Sequence, residues 1–203
     1  MNQARHAGAT LLDSPTLVVK QKLKLIELKN EYEVYGPDGR QLGRVVQVRQ
    51  SPLALFTRIF SDLDVALPIH LELRDAAGGV LLHLSKPWFR WAVGVSRPDG
   101  TPVGSIAKQY RMGKARFRLT DPSGATAGEV KARNWRAKDF SILDAQGNQV
   151  GEVNKKFAGL RELFTDADNY MVRIDPRTAE PLRSLVIASC LTIDTIMKQK
   201  DAG

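Results

Sequence analysis

The stretch DPSGATAGEV, residues 121–130, contains a turn phrase that recurs along this 203-residue chain. Each copy has an Asp or Pro ahead of a Gly and a second Gly four positions later. The other copies are GPDGRQLGRV at 36–45, RPDGTPVGSI at 97–106 and DAQGNQVGEV at 144–153, with a looser version, RDAAGGVLLHL, at 74–84. The first Gly accepts the positive φ of a hairpin turn, and a Gly early in the returning strand is typical of a β-bulge or a close backbone approach. The phrase therefore predicts a repeated β-hairpin.

Apolar and polar residues alternate beside these turns, as they do in strands that bury one face. Phe117 and Leu119 lie on one side of a predicted strand, and Arg116 and Arg118 lie on the other. The segment LPIHLELRD at 67–75 alternates in the same way. This regular succession of short strands and turns predicts antiparallel meanders, and hence a barrel or a sandwich of mainly β structure.

The end of the chain breaks this pattern. The segment EPLRSLVIASCLTIDTIMKQK at 180–200 predicts a helix over about residues 180–199 that is apolar on every side, and such a helix is buried either in protein or in lipid. A bilayer span takes about 20 mostly apolar residues, but Arg183 and Asp194 bracket a much shorter stretch here. Because a charge at mid-membrane costs at least ~2.5 kcal/mol, we expect the β-strands to enclose the helix.

The composition suits one globular domain with an excess of positive charge. We predict a disordered tail over residues 1–14 and a single β-barrel domain over residues 15–203.

The net charge of +8 favours an anionic partner, which is a membrane surface, a phosphate-bearing ligand or nucleic acid. The single cysteine, Cys190, excludes an internal disulfide, and the first residues lack an apolar signal segment, so a cytoplasmic setting is expected.

Four segments of the chain carry a family resemblance. They are LVVKQKLKLIE at 17–27, NEYEVYGPDGRQLG at 30–43, FTDADNYMVRID at 164–175 and SLVIASCLTID at 184–194. Together they resemble the phospholipid scramblase and LURP-one-related family, whose members share the tubby-like fold. The resemblance implies a closed antiparallel barrel of about twelve strands that encloses the C-terminal hydrophobic helix. It also implies binding of anionic phospholipids, or movement of phospholipids between leaflets.

The acidic stretch 164–175 lies where the resemblance implies a calcium site. The candidate ligands are Asp166, Asp168, Asn169 and Asp175. On the EF-hand pattern, however, Arg177 takes the position of the closing glutamate, and Met171 takes that of the required glycine. Short polar side chains also stabilise turns by bonding to the neighbouring backbone. We therefore predict a turn that leads into a last strand, with weak calcium binding as the alternative.

A basic region follows from the charges between residues 105 and 140. Nine basic residues, Lys108 among them, stand there against three acidic ones. If residues 121–124 close a hairpin, alternation brings cations together on one outer face, where Glu129 is expected to pair with Arg116. The candidate headgroup-binding residues are Lys114, Arg116, Arg118, Lys131, Arg133 and Arg136. This face suits phosphoinositide or phosphatidylserine headgroups, and the alternative is a solvated face that has no ligand.

Other classes of function find less support in the sequence. It contains no nucleophile elbow, phosphate loop or metal-binding helix motif, so we expect a non-enzymatic protein with no cofactor other than weakly bound calcium. Nucleic-acid binding is disfavoured, because Phe117 is predicted to face inwards and no helix-turn-helix or zinc-finger motif is present. The alternative to lipid binding is a cytoplasmic scaffold for protein partners. A lipid-binding protein of this type is expected at the inner face of the plasma membrane.

Overall fold

The computed structural model describes residues 10–22, 31–48, 68–87, 92–109, 115–133, 139–154 and 169–198. Within these ranges the chain forms twelve strands and one helix. The strands are β1 (Thr16–Lys22), β2 (Glu31–Tyr35), β3 (Gln41–Gln47), β4 (Ile69–Asp75), β5 (Val80–Lys86), β6 (Ala92–Ser96), β7 (Pro102–Gln109), β8 (Arg116–Thr120), β9 (Thr126–Ala132), β10 (Asp139–Asp144), β11 (Gln149–Asn154) and β12 (Tyr170–Ile174), and the helix is α1 (Leu182–Lys198).

The twelve strands form one closed antiparallel barrel. Each strand pairs with its neighbours in the sequence, and β1 pairs with β12 to close the ring, so that Thr16 lies opposite Arg173 and Val19 lies opposite Tyr170. Closure removes the free edges that an open sheet would expose. The prediction of a closed antiparallel barrel is confirmed, and the sandwich is excluded.

Helix α1 lies at the centre of the barrel and completes its core. Leu185 and Ile187 on the helix are fully buried, as are Phe117 and Val130 on the inner faces of the strands. The Tyr170 hydroxyl also donates a hydrogen bond to a carbonyl oxygen of the helix, at 2.8 Å. The all-round apolar character of the helix is thus explained by burial in protein. Within the described ranges, no helix combines the length and the apolarity needed to cross a membrane.

The first glycine of each turn phrase adopts the predicted positive φ. The values are 78° at Gly39, 93° at Gly78, 87° at Gly100, 90° at Gly124 and 85° at Gly147. Each turn joins an even-numbered strand to the next odd-numbered one, so all five turns lie at the same end of the antiparallel barrel. Helix α1 begins at this end too, which we term the turn end.

The second glycine of the phrase allows the barrel wall and the helix to approach each other. A Cβ atom on Gly128 would lie 2.5 Å from the carbonyl oxygen of Leu143 on β10 and 2.8 Å from Cδ1 of Leu182 on α1. Gly104 occupies the equivalent position on β7. The strand register shifts next to both glycines, which is the predicted β-bulge. The turn phrase therefore encodes the hairpin and also the space for the central helix.

The predicted disordered tail is wrong over residues 10–14, which are packed against the barrel. The Ser14 amide donates to the Thr10 carbonyl oxygen at 3.0 Å and closes a turn. Leu11 is only 1% exposed, because its side chain joins the hydrophobic core. Residues 1–9 of the predicted tail lie outside the described residues. The helix bounds, in contrast, agree with the prediction to within two residues.

The enclosed helix predicts an unreactive thiol at Cys190. This residue is 4% exposed, and burial raises the pKa of its thiol to about 12. Because only the thiolate reacts, we expect labelling by Ellman's reagent at pH 8 to be at least about 1000-fold slower in the native protein than in urea. The measurement is thiol release with and without denaturant. Rapid labelling of the native protein would contradict the enclosed position of the helix.

Candidate functional site

Strands β8 and β9 bring four of the predicted headgroup-binding residues to one outer face of the barrel. Phe117 and Val130 are fully buried on the inner faces of these strands. Because side chains alternate along a strand, the residues directly before and after each of them point outwards. The outward cations are Arg116 and Arg118 on β8, Lys131 on β9, and Arg133 directly after β9. We term these four residues the basic face. The other two candidates, Lys114 and Arg136, lie outside the described residues.

Two cations of the basic face lie directly opposite each other. The register of β8 and β9 pairs Arg116 with Lys131, and like charges in this position are destabilising. Arg116 is partly neutralised by Glu129, whose Oε1 lies 3.5 Å from Nη1, as the alternation predicted. Within the described part of the chain, Lys131 forms no ion pair. The barrel therefore concentrates positive charge here at some cost to its own stability.

Arg118 is the most exposed cation of β8, and a side chain on β7 orients it. With the Gln109 amide turned so that its oxygen faces the guanidinium, Oε1 accepts hydrogen bonds from Nε and Nη2 of Arg118, both at 2.7 Å. A guanidinium has five N–H donors, so further donors remain for an anionic group. Arg118 is thus held in place while most of its hydrogen-bonding capacity stays available.

Arg133 takes part in an ion-pair network that the sequence analysis did not reveal. Its Nη2 lies 3.0 Å from Oε2 of Glu152, and its Nε donates to Ser141 Oγ at 2.8 Å. Arg173 approaches the other carboxylate oxygen of Glu152, at 3.6 Å. The charge of Arg133 is therefore shared with a carboxylate, and the cations that contribute most to the basic face are Arg116, Arg118 and Lys131.

Two lysines lie on the inner face of the barrel. Lys108 was counted in the basic region, but it lies opposite the buried Phe117 and so belongs to the interior side of β7. Lys86, which the sequence analysis missed, is 2% exposed, and its burial lowers the pKa of its ammonium group. The sequence contained a signal for this position, because Lys86 lies two residues after the buried Leu84 and so falls on the same, inward face of β5. Neither lysine contributes to the basic face.

Two of the four predicted calcium ligands, Asn169 and Asp175, lie within the described residues, and they are far apart. Asn169 and Asp175 lie at opposite ends of β12, and six residues of extended strand separate them by about 20 Å. Both carboxylate oxygens of Asp175 accept hydrogen bonds from Arg177, with Nη2 at 2.8 Å, and these bonds lower the pKa of Asp175 to about 2. Asp175 is therefore part of a turn, and it lies too far from Asn169 to share a metal ion with it. Asp166 and Asp168 lie outside the described residues.

The closed antiparallel barrel around a C-terminal helix defines the tubby-like class of fold. The chain belongs to the Scramblase family, whose family model matches residues 1–198. It is 25% identical to a phospholipid scramblase family protein of Schizosaccharomyces pombe, over 85% of this chain and 49% of that protein. It is 22% identical to phospholipid scramblase 1 of Mus musculus, over 88% of this chain and 59% of that protein.

Two further proteins are similar to this chain. The chain is 22% identical to altered inheritance rate of mitochondria protein 25 of Saccharomyces cerevisiae, over 83% of this chain and 61% of that protein. It thus spans about half to three-fifths of the length of these curated relatives. An X-ray structure of a protein from Arabidopsis thaliana matches 94% of this chain and 99% of that one, with a TM-score of 0.55 and 9% identity. This last likeness concerns the fold alone.

Proposed function

We propose that this protein binds anionic phospholipids through the basic face. The observation that carries the proposal is the direct opposition of Arg116 and Lys131, with the exposed Arg118 beside them. A sheet that places like charges opposite each other loses stability, and an anionic ligand offsets that loss. Membership of the Scramblase family supports phospholipid as the source of the anionic group.

The chemistry of the three cations fits a phosphate-bearing headgroup. Arginine presents paired N–H donors that match phosphate oxygens, whereas lysine acts as a compact point charge. Each basic residue near an anionic membrane surface contributes about 1 kcal/mol. Arg116, Arg118 and Lys131 together would therefore supply about 3 kcal/mol of attraction, and salt would screen this contribution. A phosphoinositide offers more phosphate groups than phosphatidylserine and is the preferred ligand in this proposal.

The same proposal covers activity and location. Family membership supports a part for this protein in phospholipid scrambling, and a peripheral position at the inner face of the plasma membrane follows from binding to anionic lipid. Calcium belongs to the proposal only through Asp166, Asp168 and Asn169, since Asp175 is bonded to Arg177.

Reversing two charges of the basic face is expected to weaken membrane binding strongly. In liposome flotation, Arg118→Glu with Lys131→Glu should lower the affinity for phosphoinositide or phosphatidylserine vesicles by at least about 30-fold, since two contributions of about 1 kcal/mol each are lost. Neutral phosphatidylcholine vesicles should recruit neither protein. Each vesicle is tested at two salt concentrations, with and without calcium.

The matched control changes the net charge equally on the far side of the barrel. Arg40, directly before β3, and Arg44, within β3, are both exposed. Their double replacement by Glu should leave flotation unchanged. Equal binding by the Arg118/Lys131 variant and the native protein would overturn the proposal. A requirement for calcium would support a metal site at Asp166 and Asp168.

A further inference from the structure

Ser141 extends the basic face onto the next strand of the barrel. It points outwards from β10, because Phe140 and Ile142 on either side of it are buried. The strand register places it directly opposite Lys131 on β9, which in turn lies opposite Arg116 on β8. Arg116, Lys131 and Ser141 therefore form one row across three adjacent strands, about 5 Å apart from strand to strand. We term these three residues the donor row.

The donor row has hydrogen-bond donors that a ligand can reach. All three side chains are partly exposed. Ser141 Oγ accepts a hydrogen bond from Nε of Arg133 at 2.8 Å, so its O–H group points away from that guanidinium. A hydroxyl donates one hydrogen bond as well as accepting, and among the described residues no acceptor takes the proton of Ser141. Lys131 adds three N–H donors beside it.

The carboxylates next to the donor row are already bound to arginines. Glu152 lies opposite Ser141 on β11, and its two carboxylate oxygens lie 3.0 Å from Arg133 and 3.6 Å from Arg173. Glu129 has an arginine partner on β8, at 3.5 Å. Neither carboxylate is therefore an isolated negative charge that would repel an anion from the centre of the row.

The outward charges on this side of the barrel have a positive balance. Away from the turn end, the charged residues that point outwards on β8 to β12 or directly after β9 are Arg116, Arg118, Lys131, Arg133 and Arg173, against Glu129, Asp139 and Glu152. Five positive charges less three negative ones leave +2 among the described residues. A phosphomonoester is a dianion above its second pKa, which is about 6, and a phosphodiester carries one negative charge.

A terminal phosphate also matches the donors of the row in number. It has three unesterified oxygens, whereas the phosphate of a diester has two. The donor row presents an arginine, a lysine and a hydroxyl group from three different strands. Each of these groups can donate to a separate phosphate oxygen, since all three are donors to anions.

We propose that the donor row binds the terminal phosphate of a phosphomonoester, with Lys131 at its centre and the hydroxyl group of Ser141 as the third donor. This site deepens the lipid-binding function proposed above and rests on it for the source of the phosphate. Phosphatidate and the phosphorylated phosphoinositides carry a terminal phosphate, and phosphatidylserine carries a diester. A soluble phosphomonoester presents the same chemistry.

The test compares phosphatidate with phosphatidylserine in flotation of the full chain with vesicles matched for surface charge. At pH 8 the native protein should prefer phosphatidate. Ser141→Ala should weaken binding to phosphatidate about fivefold, the loss expected for one hydrogen bond, and should leave binding to phosphatidylserine unchanged. Ser141→Thr keeps the hydroxyl group and should bind like the native protein.

The preference for phosphatidate should also depend on pH. A phosphomonoester gains its second negative charge as the pH rises through about 6, while lysine and arginine stay protonated to about pH 10. The described histidines, His70 and His83, lie on β4 and β5, outside this side of the barrel. Binding to phosphatidate should therefore strengthen at least about threefold between pH 5.5 and pH 8, and binding to phosphatidylserine should stay constant.

The matched control is Ser85→Ala. Ser85 is exposed on β5, outside the donor row, and this variant should bind like the native protein. Calorimetric titration with glycerol 3-phosphate identifies the source of the phosphate. If glycerol 3-phosphate binds, Ser141→Ala weakens it and no vesicle floats the protein, the ligand is a free phosphomonoester and the lipid proposal alone fails.

Equal flotation with both lipids, unchanged by Ser141→Ala, would overturn the phosphomonoester site and leave anionic lipid binding in place. Binding of neither phosphatidate nor glycerol 3-phosphate would overturn it as well. Flotation with phosphatidate that Ser141→Ala weakens and Ser141→Thr preserves would assign the terminal phosphate of a lipid to the donor row.

Discussion

Gly104→Ala is expected to lower the free energy of unfolding by about 4 kcal/mol. Gly104 has a φ of 144°, and a Cβ atom there would lie 2.1 Å from the Thr120 carbonyl oxygen and 3.1 Å from Cδ1 of Leu185. The carbonyl belongs to the neighbouring strand and the leucine is fully buried in the helix, so neither can move freely. Backbone strain contributes about 1–2 kcal/mol and overpacking about 1–3 kcal/mol. Urea denaturation followed by circular dichroism measures the change.

The control for this prediction is Gly100→Ala in the turn of the same hairpin. Gly100 also has a positive φ, at 87°, but a Cβ atom there would meet no heavy atom within 4 Å. Only the strain of a positive φ applies at this position, so we expect the free energy of unfolding to fall by about 1 kcal/mol. The difference between the two variants isolates the close approach of wall and helix. Equal losses would show that the barrel wall relaxes around the added methyl group.

Arg183→Met is expected to lower the free energy of unfolding by about 3 kcal/mol. Arg183 is 7% exposed, and its guanidinium donates to the carbonyl oxygens of Leu12 at 2.6 Å, Ser14 at 3.0 Å and Asp175 at 3.3 Å. Removal of the guanidinium leaves these carbonyl groups without their donor, and each unsatisfied carbonyl costs about 1–3 kcal/mol. Part of this loss is offset, because the variant no longer buries a charge. Methionine fills most of the volume, so the cavity term stays small.

The consequences of this substitution should extend to the start of the barrel. Since Arg183 ties α1 to residues 12 and 14, we expect faster hydrogen exchange at the Ser14 amide, which bonds to Thr10 in the native turn. The control is Arg177→Met, because the Arg177 side chain is 89% exposed and a surface ion pair of this kind contributes little to stability. If Arg183→Met and this control had the same free energy of unfolding, the prediction would be wrong. The three hydrogen bonds to carbonyl groups would then only compensate the cost of burying the Arg183 charge.

The basic face shows how far local sequence patterns reach. A single hairpin explains why Phe117 faces inwards, why Arg118 faces outwards and why Arg116 pairs with Glu129. The register of a hairpin is set within a few residues of its turn. The pairing of Arg133 with Glu152, 19 positions away, depends on a second hairpin and on how the two lie side by side. For the same reason, the contact between Arg118 and Gln109 and the position of Lys108 opposite Phe117 depend on the pairing of β7 with β8.

Local sequence specifies the turns, the inner and outer faces of the strands, and the enclosure of the last helix. These features depend on glycine conformation, period-two alternation and an apolar surface on every side of one helix. The closed fold is what places Leu11 in the core and surrounds Arg183 with carbonyl groups. The physical reason is ring closure, since the pairing of β1 with β12 and the path of α1 through the barrel bring together groups that are distant in the chain.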